Sequence, residues 1–120
     1  MPKMMTGEFA QRTFYIPWTT DKSEGVWARP LTLTKRAELR REAQLEAGMD
    51  DDIAANNYCR MMLQESIENW QGFRTPAGEE IPYSREAVTT LCEYDPVLAA
   101  EMLARISAMA REGELAERKN

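Results

Sequence analysis

The chain contains no histidine. That removes the commonest general base and metal ligand at neutral pH. A Ser-His or Cys-His nucleophile pair cannot be assembled within it. Cysteine is scarce: Cys59 and Cys92 are the two present, and without histidine they make no zinc site. Glycine is sparse at six residues, and neither GxGxxG nor GxxxxGK occurs, so no phosphate-cradling loop is encoded. No run approaches the ~18 apolar residues of a membrane-spanning helix. Residues 1–10 carry one lysine and no continuous apolar stretch, which is not the pattern of a secretory signal. The net charge is −5, from 20 acids and 15 bases. Sequence-independent binding to nucleic acid needs the opposite sign. The expectation is a cytoplasmic protein that is not an enzyme. The same expectation includes no catalytic residues, cofactor, metal site or membrane contact, and the acidic balance argues against nucleic acid as a partner.

What is present is ordinary for a folded domain. The chain has 120 residues, 43% hydrophobic and 29% charged. That fits a single domain over 1–120, able to bury roughly two-thirds of its unfolded surface. Both cysteines lie in apolar helical patterns, which reads as two buried thiols in a reducing compartment. A bridge between them requires a geometry that spacing alone does not give.

Along the chain, residues 1–11 read as a flexible arm. Two aromatic and β-branched runs, Thr13 to Trp18 and Gly25 to Arg29, flank a polar turn, which predicts an aromatic hairpin over 13–29. Pro17 marks that hairpin as edge-like. A helical core is expected over 30–113. Thr32 or Thr34 caps a first helix that Gly48 stops; its apolar stripe, Leu39, Ala43 and Ala47, is thin. Asp50, Asp51 and Asp52 open a second helix expected to reach about Trp70, apolar nearly all round and therefore central. Those three acids make no calcium loop, because the twelfth position is Met61 and the loop glycine is missing. Pro76, Ala77 and Gly78 supply a tight turn between Phe73 and Ile81. Ser84 caps a short third helix with Ala87, Val88, Leu91 and Cys92 on one face. Asp95 and Pro96 start a fourth, with Leu98, Met102, Ile106 and Met109 as its stripe and Gly113 as its stop. Residues 114–120 form a charged, frayed tail. The expected fold class is mainly α: a small four-helix domain with one or two short β-hairpins.

Two features go beyond architecture. Lys35, Arg36, Arg40 and Arg41 make the first helix locally basic, but Glu38, Glu42 and Glu46 interleave with them and weaken the field. Eight methionines and three tryptophans are also present. Methionine fills irregular cores and also lines adaptable binding surfaces, and amphipathic aromatics concentrate at interfaces. On that basis Trp18, Trp27, Met61, Met62, Trp70, Phe73, Met102 and Met109 are candidate protein-binding residues, with core packing as the competing role.

One stretch is more specific. Trp70 and Gly72-Phe73 are followed by Gly78, then by Ile81-Pro82-Tyr83-Ser84, Glu86 and Ala87. Together with Arg29-Pro30-Leu31-Thr32 before the first helix, this pattern resembles the tail assembly chaperones of long-tailed bacteriophages and prophages. The resemblance covers about residues 26–109. It departs at Thr75-Pro76-Ala77, where an acidic turn is more usual. It implies binding of the long, helical tape-measure protein, which the chaperone keeps soluble in the host cytoplasm until tail-tube subunits polymerise around it. It further implies no cofactor, absence from the virion, and a capacity to self-associate into a homo-oligomer. The competing readings are a small helical nucleic-acid-binding regulator using the basic helix, and a structural connector or adaptor of a phage particle.

Overall fold

The first hairpin forms where the alternating aromatics place it. In the computed structural model, which describes residues 12–119 and side chains as far as Glu112, β1 (Phe14–Pro17) pairs antiparallel with β2 (Gly25–Ala28). The expected arm over 1–11 lies outside the described residues. In the connecting turn, Trp18 N–H donates to the Glu24 carbonyl at 2.7 Å. The Asp21 carboxylate accepts from Ser23 Oγ and Ser23 N–H at 2.7 and 2.9 Å, which holds its pKa below the usual value.

The helix boundaries follow from side chains that satisfy orphan N–H groups. α1 (Leu33–Ala47) is capped by Thr32, whose hydroxyl accepts from Lys35 N–H at 3.1 Å. It stops at Gly48, where φ is 65° and the N–H returns to the Gln44 carbonyl. α2 (Asp51–Ser66) is capped by Asp50 through Ile53 N–H at 3.0 Å. α3 (Arg85–Tyr94) is capped by Ser84 through Ala87 N–H at 2.9 Å. α4 (Pro96–Lys119) begins with the Asp95 carboxylate accepting Leu98 N–H at 3.1 Å.

Two expected boundaries move. The second helix ends at Ser66, not near Trp70, and Ile67–Gln71 becomes a third strand, β3, antiparallel to β2. Ser66 fixes the changeover: its Oγ donates to the Arg29 carbonyl at 2.6 Å and its own carbonyl accepts Arg29 N–H at 3.0 Å. Ile67 and Trp70 are three apart, which reads as helical spacing. A register shift at Trp27/Ala28, where Ile67 opposes Ala28 and Asn69 opposes Trp27, leaves Glu68 as the extra residue of a bulge and puts both apolar side chains on the buried face. The fourth helix runs through Gly113 to Lys119, so residues 114–119 are helical and not a frayed tail. One glycine costs a helix only about 1 kcal/mol, and strong helix formers flank it here.

The fold is therefore mixed α/β: among the described residues, four helices and a three-stranded antiparallel sheet ordered β1-β2-β3. The second hairpin shrinks to one bridge, Arg74 with Glu80, closed by Ile81 N–H to the Phe73 carbonyl and by the Thr75 to Gly78 turn. One core joins the inner sheet face (Ile16, Val26, Ile67, Trp70) to Leu63, Val88, Cys92 and Met102 of α2, α3 and α4. A second, smaller core holds Leu39 and Ala43 of α1 against Met61 and Met62 of α2. Helix α2 belongs to both, which bears out its central placement. The molecule is a slab of 49 × 40 × 18 Å.

Candidate protein-binding surface

The segment 70–86 folds into a brace. The Trp70 indole N–H donates to the Ile81 carbonyl at 2.8 Å, and its ring meets Tyr83 edge-on at 5.3 Å and Phe73 at 5.4 Å. Tyr83 O–H donates to the Ile67 carbonyl at 2.9 Å, and burial holds its pKa above the usual value against an opposing pull from Arg85. Phe73 continues the aromatic row to Trp18 at 5.6 Å. Gly72 is required by its φ of 83° and by the Glu24 backbone, which an added Cβ would approach to 2.8 Å. The brace therefore ties the turn after β1 to the end of β3.

The eight candidate residues separate into different environments. Met61, Met62, Trp70 and Met102 are buried core residues. Trp18, Phe73 and Met109 are half-buried and pack against the same core as Trp70 and Met102. Trp27 stands on the opposite sheet face from Val26, with its ring 4.6 Å from that of Tyr15. Tyr15 lies across Gly25 and donates from its hydroxyl to the Lys22 carbonyl. The structure thus gathers five of the eight around the sheet core, puts Met61 and Met62 beneath α1 and leaves Trp27 on the outer sheet face. Arg105, which the sequence did not single out, stacks over Trp18 at 4.0 Å, donates to the Trp18 carbonyl at 2.7 Å and pairs with Glu101 at 2.9 Å.

Among the described residues, the large apolar side chains that do face water are others: Leu33, Leu45, Met49, Ile53, Tyr94 and Val97. Three of them flank the α1–α2 turn, where Met49 is 99% exposed. Leu45 lies off the thin stripe that buries Leu39 and Ala43, and a bulky apolar residue off such a stripe is the sequence signal for this site. Single exposed apolar residues are ordinary, and here three of them flank one turn. Residues 42–59 contain five acids and no base. Of these, Glu46 pairs with Arg60 at 3.0 Å and Asp50 serves as the cap. Glu42, Asp51 and Asp52 remain exposed around Leu45, Met49 and Ile53.

The basic half of α1 is partly engaged. Lys35 lies 3.9 Å from Glu38, and the Arg40 guanidinium sits over the Tyr58 ring at 5.3 Å. The helix is thus polarised, basic at its start and acidic at its tip. Such a tip can receive an apolar stripe flanked by lysine or arginine. No helix among the described residues is long and apolar enough to cross a membrane. No protein-family model, curated protein or solved structure matches this chain.

Proposed function

We propose that the chain is a phage or prophage tail assembly chaperone that binds the tape-measure protein in the bacterial cytoplasm and keeps it soluble until the tail tube forms around it. The observation that carries this reading is the acidic tip of the α1–α2 hairpin, where Leu45, Met49 and Ile53 are exposed beside Glu42, Asp51 and Asp52. An extended helical client presents apolar stripes that aggregate when bare. A small acidic partner with an adaptable methionine at its contact covers such a stripe and adds charge that preserves solubility. The resemblance of residues 70–86 to tail assembly chaperones supports the same reading. Those residues serve as a scaffold, and the binding surface lies elsewhere on the molecule. Self-association belongs to the proposal, and sedimentation of the purified chain measures it.

The test is co-expression with a phage tape-measure protein. The intact chain is expected to raise the soluble fraction of the client and to co-purify with it. Met49→Glu and Ile53→Glu alter side chains that touch little of the core, so both variants are expected to fold and to lose the complex. A client equally soluble with and without the chain, and no recovered complex, overturns the proposal.

A further inference from the structure

Helix α1 packs chiefly on α2, where it buries Leu39 and Ala43. At about 100° per residue, Arg41 lies on the side of the helix opposite those two. Thr34, Ala37, Glu38 and Leu45 share that outward side, and all five are exposed. Leu33 stands at its rim and is exposed as well. The outward face is thus part apolar and part charged, and nothing among the described residues covers it.

Its charge runs in one direction. Residues 33–41 hold four bases and one acid, whereas residues 42–52 hold five acids and no base. Arg41 makes no ion pair among the described residues, and Glu38 has only the 3.9 Å contact with Lys35. A second copy of α1 laid alongside in the same direction sets base against base and acid against acid. Laid in the reverse direction, each basic half meets an acidic half.

We propose that the outward face of α1 docks against the same face of a second copy of this chain, antiparallel about a twofold axis. A twofold contact is isologous, so each pairing occurs twice. With the axis between positions 39 and 40, Arg41 faces the partner's Glu38, and Leu45 settles over the partner's Thr34, beside Leu33 and Ala37 of the partner subunit. Sliding the pair by three positions sets Arg41 against the partner's Arg41, so charge selects the first register. Two helices of about four turns bury less than a standard interface, so the dimer is weak and sensitive to salt. The inference deepens the self-association put forward above and rests on that part of the reading, and the client plays no part in it. Ile53 lies on α2, outside the helix pair, so the dimer face and the client surface separate by mutation.

The experiment is sedimentation equilibrium of the purified full-length chain between about 10 μM and 1 mM, where a weak dimer is measurable. The expected result is a monomer–dimer equilibrium that weakens as salt rises. Arg41→Glu sets like charges against each other in both pairings and should raise the dissociation constant at least about tenfold, as should Glu38→Arg. The double variant Glu38→Arg/Arg41→Glu restores opposite charges across the axis and should bring the constant back to within about threefold of the unaltered chain. Leu45→Gln changes no charge and should also weaken the dimer, which keeps the test open if a charge variant does not fold. Ile53→Glu should leave the dimer intact. A chain that stays monomeric at 1 mM overturns the proposal. So does a dimer that Arg41→Glu leaves unchanged, or one that the double variant fails to restore. A dimer that behaves as expected while the tape-measure protein still aggregates removes the chaperone reading alone, and a monomer that keeps that client soluble removes this one alone.

Discussion

The sheet side of the molecule and the α1–α2 hairpin are built on different principles. Around the sheet, Trp18, Phe73, Trp70 and Tyr83 stack in a row, and the Trp70 indole and the Tyr83 phenol each donate to a backbone carbonyl. Every ring there is fixed by contacts from segments far apart in the chain. In the hairpin, α1 packs mainly on α2 through Leu39 and Ala43, and charged side chains dominate the rest of its surface. The larger apolar residues of its tip face water. The contrast teaches that the aromatic motif buries its hydrophobicity in the core, whereas the sparse hairpin leaves some of its own facing water. Regions with few buried apolar contacts open first, so α1 is expected to be the least protected helix of the core.

The comparison can be broken at several points. Trp70→Ala removes the centre of the aromatic row and should cost about 3–5 kcal/mol in chemical denaturation. Leu39→Ala should cost about 2–3 kcal/mol, with the loss confined to α1 in native-state hydrogen exchange. If Leu39→Ala instead strips protection from β2 as fully as Trp70→Ala does, the two regions form one cooperative unit and the contrast fails. Gly72→Ala should cost about 2 kcal/mol or more, because φ is positive and the Glu24 backbone must move. Gly78→Ala shares the positive φ but meets nothing within 4 Å, so its cost should stay near 1 kcal/mol. Equal thermal shifts for the two glycine variants would remove the Glu24 contact from the account. Glu46→Gln weakens the pair with Arg60 and should cost less than about 1 kcal/mol, since the carboxylate is half-exposed and screened. A salt titration of the unfolding midpoint checks it, because the difference from the unaltered chain should shrink as salt rises.

The legibility of the chain was uneven for physical reasons. Ser84 and Asp95 were readable as caps, Thr32 as one of two candidates with Thr34, and Asp50 as one of three acids opening α2, because each bond joins residues three apart. The first hairpin was readable from its aromatics and its polar turn. The third strand was not: Ile67 and Trp70 have helical spacing, and only the pairing with β2 and the bulge at Glu68 make that segment extended. The candidate binding residues followed hydrophobicity, which marks core and interface alike. Burial then placed Met61, Met62, Trp70 and Met102 inside, while Leu45, Met49 and Ile53 stand outside.

By itself the sequence determined the four helix starts, the stop at Gly48, the aromatic hairpin and the absence of histidine. These depend on residue type and on hydrogen bonds that reach less than one turn. Tertiary structure decided where α2 gives way to β3 and which apolar side chains remain exposed at the hairpin tip. Each of those depends on a partner far along the chain, and local spacing carries no record of which distant segment will fill the space.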